Sequence, residues 1–256
     1  KWQVRIAMQL QDILFSQGFG TRRVCAGLVQ QGWVSVAAVP SSDSFELITD
    51  SARDFNPKDL RLRVQGVEWP WCEKAYILLY KPEGTECSQK PSMHPSVYTL
   101  LPAPLRQRPN KNAIQGVQAV GRLDQDTTGL LLLSDDGQFI HRMTSPKKHV
   151  PKVYEVTTKH PLDENQIQRL LGGVVLDDDP VPVCAAAAQM VGSTHLKLTL
   201  LEGKYHQVKR MLAAVGNRVE RLHRSQIGAL VLPESMKPGD WMWLDATHLK
   251  ELGFRA

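Results

Sequence analysis

Long hydrophobic runs are missing from this sequence of 256 residues. The leucine run at 130–133 is far shorter than the roughly 18 consecutive apolar residues that cross a membrane. The first ten residues, KWQVRIAMQL, have neither a long apolar core nor a small-residue cleavage site, so they do not match a secretory signal. We therefore expect a cytoplasmic protein with no membrane partner.

Cysteine is also scarce, and its spacing matches no known ligand pattern. The four cysteines are far apart and form neither a C-x-x-C pair nor a partnered histidine spacing; they are Cys25, Cys72, Cys87 and Cys184. This argues against a structural zinc site and, in so long a chain, against a disulfide framework. We expect no metal and a reducing compartment.

Negative charge is not in excess, and positive charge is concentrated in one segment. The formal net charge is +5, and residues 204–224 hold six Lys/Arg against one acid, Glu220. A solvated helix face normally carries both signs, whereas one-sided charge is typical of a surface that binds a polyanion such as RNA. The basic residues of this stripe are Lys204, Lys209, Arg210, Arg218, Arg221 and Arg224.

The N-terminal part has a pattern of two helices followed by a strand. Apolar residues at 10–14 recur at helical spacing, and Thr21 is a candidate N-cap for a second helix. Arg22 and Arg23 fall in the first turn of that helix, where the dipole disfavours cations, which suggests an external anion. Residues 33–36 alternate like a strand.

Composition divides the chain near residue 70. Residues 40–65 mix Ser, Pro and Asp with short apolar runs, so we predict a small α/β domain over 1–65 and a linker over 66–74. From residue 75, strands and helices are interleaved without regular alternation, which predicts a mixed α+β domain with a largely antiparallel sheet over 75–256. Within it we predict strands at 153–158 and 194–203, helices at 163–173 and 205–216, and a loop at 102–118.

The segment GRLDQDTTGLLLLSDDG, residues 121–137, puts opposite charges at the mouth of a buried strand. Arg122 and Asp124 each cost free energy to desolvate unless they are paired. A structural ion pair beside a turn explains the pattern without any further function. A guanidinium that keeps a carboxylate ionised in a pocket also makes that carboxylate a nucleophile. The remaining acids of the segment, Asp126, Asp135 and Asp136, are predicted turn and cap residues.

Two further segments carry basic and aromatic side chains. HRMTSPKKHVPKVYEV, residues 141–156, places a basic loop before a strand that contains Tyr154. EGKYHQVKRMLAAVG, residues 202–216, predicts a helix with an apolar face and an opposite arc that carries His206, Lys209 and Arg210.

Together these three segments resemble the pseudouridine synthases, in particular the branch that modifies small-subunit (16S) ribosomal RNA. GRLD-x-x-T-x-GLLLL-[ST]-x-DG is the specific signature, and YHQVKRM followed by LHR favours that branch over its large-subunit relatives. Residues 8–36 resemble an S4-type RNA-binding module, although QLQD at 9–12 and AAVP at 37–40 depart from its pattern. Tyr80 stands where the family usually has asparagine before Lys-Pro.

The resemblance implies that the protein isomerises a uridine of 16S ribosomal RNA, at position 516, to pseudouridine without a cofactor. It implies that Asp124 is the catalytic nucleophile, that Arg122 and Lys209 assist it, and that Tyr154 stacks on the uracil. As a packed strand residue, Tyr154 would have no such role. We expect the partner to be 16S RNA or a small-subunit assembly intermediate, and the protein to be a monomer. The expected RNA contacts are Arg22, Arg23, Arg142, Lys147, Lys148, Lys152, Lys204, His206, Arg210, Arg218, Arg221 and Arg224.

Three alternatives stay open. A sister synthase would act on large-subunit ribosomal RNA. A ribosome-assembly factor would bind RNA without catalysis, but it would have no reason to keep Arg122, Asp124, Tyr154 and Lys209 together. An RNA glycosidase would commonly pair two carboxylates, and the sequence places only Asp124 as one.

Overall fold

The computed structural model describes residues 7–38, 43–111 and 114–255. The chain forms two compact units. The first contains Lys1–Ala75 together with Leu101–Gln118, and the second contains Tyr76–Leu100 together with Ala119–Ala256.

The first unit combines short helices with a small antiparallel sheet. Leu10, Ile13 and Leu14 of the first helix are fully buried, as their spacing predicts. The side chain of Thr21 accepts a hydrogen bond from the Val24 amide, which confirms Thr21 as an N-cap. The elements are β1 (Met8–Gln9), α1 (Leu10–Ser16), α2 (Arg22–Gln30), β2 (Val34–Ala38), β3 (Glu46–Leu47), β4 (Asp54–Phe55), β5 (Leu60–Val64), β6 (Val67–Pro70) and α3 (Ala103–Gln107).

Residues 66–74 do not form the linker that composition predicts. Strand β6 pairs with β5 in an antiparallel hairpin, and β5 also pairs with β2. Gln65 and Gly66 both have positive φ, the conformation that a tight two-residue hairpin turn requires. The unusual AAVP segment at 37–40 lies partly outside the described residues.

The predicted loop at 102–118 contains α3 and belongs to the first unit. The residue that fixes this segment to the first unit is Arg108, which is only 2% exposed. Its guanidinium donates to the side chain of Gln17 at 3.1 Å and to the carbonyl of Cys72 at 2.8 Å. Because a buried guanidinium needs several acceptors, this contact ties 101–118 to residues far away in sequence.

The second unit is built on a mixed, largely antiparallel sheet, as predicted, in which β9 and β15 run parallel. Leu130–Leu133 are fully buried because β9 (Thr127–Ser134) lies inside this sheet. The order along the sheet is β13-β14-β10-β15-β9-β7-β17, with β16 on β15 and β8 on β9. The strands are β7 (Tyr76–Lys81), β8 (Gln118–Val120), β9 (Thr127–Ser134), β10 (Lys152–Thr158), β11 (Val174–Leu176), β12 (Asp179–Val183), β13 (Ala187–Gly192), β14 (His195–Leu200), β15 (Val219–Ile227), β16 (Leu230–Val231) and β17 (Trp241–Trp243).

Helices cover the sheet and begin where the sequence provides caps. Asp136 caps α4 by accepting from the Gln138 amide, which confirms it as a cap residue. Asp163 and Gln166 form a capping box at the start of α5. The helices are α4 (Gly137–Thr144), α5 (Glu164–Gly172), α6 (Gln207–Ala214) and α7 (Ala246–Glu251). Short 3-10 helices lie at Pro57–Asp59, Val97–Leu100 and Pro146–Lys148.

Gly129, within the Thr-Thr-Gly of the signature, is required by the parallel pairing. Its φ is 113°, and a Cβ at this position would lie 2.2 Å from the carbonyl oxygen of Arg224. No other residue allows β15 to approach β9 so closely. This glycine therefore sets the position of Arg224 beside the signature segment.

Candidate active site

Asp124 lies in the turn that connects β8 to β9. The turn is closed by a hydrogen bond of 3.1 Å from the Thr127 amide to the Asp124 carbonyl. Both carboxylate oxygens of Asp124 face side-chain nitrogens from the start of α6. Nζ of Lys209 lies 3.1 Å from Oδ2, and Nε2 of His206 lies 3.3 Å from Oδ1. The structure thus brings Lys209 to Asp124, as the sequence predicts.

Lys209 is shared between two carboxylates. It also donates to both oxygens of Asp126, at 2.7 and 3.0 Å. Burial alone would lower the pKa of Lys209, but the hydrogen bonds to Asp126 and Asp124 outweigh it, so the pKa is raised. Asp126 lies in the turn as expected, yet it is also an ion-pair partner.

Arg122 does not pair with Asp124 within the part of the chain that the structure describes. Its side chain is exposed and lines the same cavity as Asp124. The physical reason is that both carboxylate oxygens already have nitrogen neighbours, Lys209 of α6 and His206 just before it. The expectation that a guanidinium holds Asp124 is therefore wrong in this structure.

Lys81 is a site residue that sequence reasoning missed. It is fully buried, and its Nζ donates to the carbonyls of Gln125 at 3.3 Å, Thr127 at 2.8 Å and Pro82 at 3.1 Å. Burial lowers the pKa of Lys81, and nearby groups such as Asp124 oppose this effect. The only sequence signal is a lysine at the end of a buried strand before proline. Lys81 holds the turn that presents Asp124.

A cavity of about 550 Å³ opens beside Asp124. Tyr154, 8% exposed, lines it from β10. Met143 and Ile227 provide apolar walls. The cavity therefore combines carboxylates, aromatic rings and an apolar surface, as a site for a flipped base needs. Its charged or titratable lining residues other than tyrosine are Arg122, Asp124, Lys152, Glu202, Lys204, His206 and Arg224.

His206 contributes more than the RNA contact that the sequence predicts. It has φ of 48°, in the left-handed region, immediately before α6. Such a backbone conformation is uncommon outside glycine and clusters at functional sites. The ring of Tyr205, a residue that is 74% exposed, stacks on the His206 ring with centroids 3.7 Å apart. Helix α6 begins at Gln207 and ends at Ala214, so it is shorter than the helix predicted over 205–216.

The basic residues at 204–224 do not form the single exposed stripe that the sequence predicts. Lys204 pairs with Asp179 and Arg210 pairs with Asp178, both at the β11–β12 turn. These acids lie far away in sequence, so local charge counting misses them.

The strand part of the stripe is divided as well. Arg224 is 3% exposed, and its Nε donates to the Leu130 carbonyl at 2.9 Å. Arg221 lies on the opposite face of β15 because strand side chains alternate. Arg218 and Arg221 are exposed. The prediction that Arg224 belongs to an exposed RNA-facing stripe is therefore wrong.

The other predicted RNA contacts also differ in their surroundings. Lys147 and Lys148 are exposed in the 3-10 helix before β10. Arg142 donates from Nε to the Gly253 carbonyl at 3.0 Å. Lys152 lines the cavity and donates to the Val150 carbonyl at 3.1 Å.

In the first unit, the two arginines of α2 have different environments. Arg22 pairs with Asp12 at 2.7 Å and lies 4.2 Å over the Phe15 ring. Arg23 is exposed.

Two searches of the described residues give negative findings. None of them forms a group of three His, Cys, Asp or Glu side chains suited to a metal ion. No helix in the same set is long and apolar enough to span a bilayer.

Residues 75–214 match the family model described as RNA pseudouridylate synthase. The chain is 41% identical over 178 residues to a ribosomal small subunit pseudouridine synthase A of Yersinia pestis, covering 70% of this chain and 72% of that protein. It is 35% identical over 238 residues to the protein of that name from Vibrio cholerae, covering 93% and 96%. A solved structure titled as a pseudouridylate synthase superimposes with a TM-score of 0.64 at 32% identity, covering 96% of this chain and 99% of that one.

Proposed function

This chain belongs to the RNA pseudouridylate synthase family, and we propose from that premise that it isomerises a uridine of small-subunit ribosomal RNA, at position 516, with Asp124 as the nucleophile. Relatives named for the small ribosomal subunit, which match the chain over 93% of its length, support the substrate class. The absence of a cofactor, a monomeric state and a cytoplasmic location stay predictions from the sequence.

One observation carries the assignment of the nucleophile: Asp124 has Lys209 at one carboxylate oxygen and the His206 ring at the other, and it opens on the cavity that Tyr154 lines. In the reaction, the N1–C1′ bond of uridine breaks and a C5–C1′ bond forms. The proton leaves C5 and a proton is gained at N1, so there is no net oxidation. The Asp124 carboxylate, with Lys209 and His206 beside its oxygens, can attack C1′ and displace N1 of the uracil; C5 of the turned uracil then attacks C1′ and releases the carboxylate.

The remaining site residues support this step in distinct ways. The ring of Tyr154 stacks on the uracil once the base has left the RNA helix. Lys81 positions the turn after Asp124 through its carbonyl contacts. Arg122, exposed at the cavity, is available to the incoming RNA rather than to Asp124.

RNA affinity is expected to come from exposed cations outside the reacting centre. The exposed side chains of Arg221, Lys147 and Lys148 can meet phosphates, as can Arg218, which lies 3.8 Å from Glu220, and such contacts make binding salt-dependent. The first unit, in which helices α1 and α2 precede a small sheet, acts as the S4-like RNA-binding module. Within it Arg23 is the better phosphate ligand, because Arg22 already pairs with Asp12.

The test of the nucleophile is Asp124→Asn, which keeps the shape of the side chain and removes its charge. We expect no tritium release from RNA that contains 5-tritiated uridine, while RNA binding persists. Asp54→Asn, an exposed aspartate in the first unit, is the matched control and should keep full activity. Appreciable tritium release by Asp124→Asn would refute the assignment.

The test of the substrate is chemical mapping of pseudouridine in ribosomal RNA from a strain that lacks the gene. Loss of one small-subunit pseudouridine, restored by the wild-type gene, is expected. Loss of a large-subunit site instead would identify a sister synthase. Free uracil as the product would identify a glycosidase, and no change at any site would favour an RNA-binding assembly factor.

A further inference from the structure

Two of the basic residues that line the cavity beside Asp124, Lys152 and Arg224, do not pair with its carboxylate. Lys152 lies on β10 and Arg224 lies on β15. The register pairs Tyr154 with Arg224, and strand alternation places Lys152 on the same face as Tyr154. The two cations therefore flank the ring on which the uracil is proposed to stack.

Neither cation has an acidic partner among the described residues. Nε of Arg224 donates to the Leu130 carbonyl, but its Nη2 is buried and has no hydrogen-bond partner there. Nζ of Lys152 donates only to the Val150 carbonyl, at 3.1 Å. Two of the three hydrogens of this ammonium thus remain available.

Acids in the same region have other hydrogen-bond partners. Glu202, which also lines the cavity, accepts from the side chain of Gln207 at 3.1 Å. Glu155, on the same strand as Lys152, accepts from the Ser225 hydroxyl at 3.1 Å. Neither acid forms an ion pair with the two cations.

This arrangement is unfavourable unless an anion binds. Burial lowers the pKa of Lys152, and the neighbouring charge of Arg224 lowers it further. A guanidinium nitrogen buried without an acceptor adds a desolvation cost. A bound anion would remove both costs at once, which is the usual purpose of unpaired cations at a binding site.

We propose that Lys152 and Arg224 form a phosphate subsite that holds one backbone phosphate of the RNA next to the flipped uridine. The proposal rests on the proposed function in that RNA must enter this cavity. The uracil itself is neutral and offers both donors and acceptors, whereas these two side chains only donate and both carry charge. A phosphodiester matches that chemistry, and a phosphate fixed here would orient the nucleotide over Tyr154.

The experiment combines neutral phosphates in the RNA with neutral side chains in the protein. The probe is a synthetic hairpin of small-subunit ribosomal RNA around the mapped uridine, with one phosphate at a time replaced by methylphosphonate. A 2′-O-methyl group on the preceding sugar prevents strand cleavage and is also present in the matched phosphate RNA. Dissociation constants are measured for the full-length wild-type protein and for Lys152→Met.

We expect one methylphosphonate position to weaken wild-type binding about tenfold, as for a lost charge-assisted hydrogen bond. The same substitution should change binding to Lys152→Met less than twofold, because its partner is already gone. Arg224→Lys, which keeps the charge in case a neutral residue prevents folding, should reduce the effect at the same position. Lys159→Met, an exposed lysine just beyond β10, is the control and should leave the tenfold effect intact.

If every methylphosphonate weakened the binding of wild type and of Lys152→Met by the same factor, the subsite would be refuted. Because the measurement is binding, it does not depend on catalysis. If Lys152→Met removes the effect of one methylphosphonate but the protein does not isomerise the RNA, the subsite is supported and the proposed function is refuted. If the protein isomerises the RNA but Lys152→Met leaves every methylphosphonate effect unchanged, the proposed function is supported and the subsite is refuted.

Discussion

Lys209→Met tests whether the lysine shared by Asp124 and Asp126 assists the reacting carboxylate or binds the RNA. Lys209 makes one hydrogen bond to Asp124 and two to Asp126, and its side chain is 28% exposed. Methionine has a similar length and flexibility but no charge. The variant therefore leaves two neighbouring carboxylates without their common cation.

The size of the effect follows from these contacts. A hydrogen bond to a charged group contributes about 1.5 to 3 kcal/mol. Because the side chains of Asp124 and Lys209 are 29% and 28% exposed, the lower end applies. That corresponds to about a tenfold fall in rate. The loss should be in the chemical step, since Lys209 faces carboxylates rather than a free surface.

The assay is single-turnover tritium release at saturating protein, with the dissociation constant measured separately. We expect the rate to fall about tenfold with binding changed less than threefold. Lys209→Arg should recover much of the rate, and Lys250→Met, an exposed lysine on α7, should match the wild type. A rate within twofold of wild type, with binding weakened instead, would refute the reasoning and make Lys209 a phosphate ligand.

Three further predictions concern the fold, the charged turn and pH. Gly129→Ala should destabilise by about 3 kcal/mol in denaturant unfolding, since its Cβ would overlap the neighbouring strand, whereas Gly137→Ala, with open space around it, should be nearly neutral. Changing both Asp178 and Asp179 to Asn should free Lys204 and Arg210 and tighten RNA binding. The slope of the logarithm of the binding constant against the logarithm of the salt concentration should steepen by up to about 0.9 per freed cation. An unchanged slope would show that these cations do not contact RNA. Backbone amides of Met93, Ser92 and His94 lower the pKa of the Glu86 carboxyl from 4.5 to about 2, so its stabilisation is present above pH 4.5 and is lost as the pH falls toward 2. The difference in unfolding free energy between wild type and Glu86→Gln should shrink over that range, and a constant difference would contradict the linkage.

The structure also changes how the chain should be truncated. A cut at residue 65 would divide the β5–β6 hairpin and leave 101–118 without Gln17, an acceptor for Arg108. Deletion of 1–65 is therefore a poor test of the S4-like module. Arg23→Met in the full chain keeps the fold and removes a single exposed cation.

Features that depend on residues close together in the chain could be predicted from the sequence. Thr21 and Asp136 act as caps because a side-chain oxygen reaches amides two or three residues away. The leucine run predicts a strand buried inside a sheet, and the signature places Asp124 at the mouth of that strand. The pairing of Asp124 with Lys209 was expected from family resemblance, and the structure brings the two together.

The partner of each charged side chain depends instead on tertiary contacts. Asp124, the expected partner of Arg122, pairs with Lys209 of α6 instead, and Arg224 is buried. Lys204 and Arg210 pair with acids at the β11–β12 turn, which is distant in sequence. These outcomes depend on chain reversals that bring residues together across long stretches of sequence, whereas periodicity and capping act within a few residues. The energy of a charge depends on its burial and its partners, and both are set by strand order and register rather than by composition.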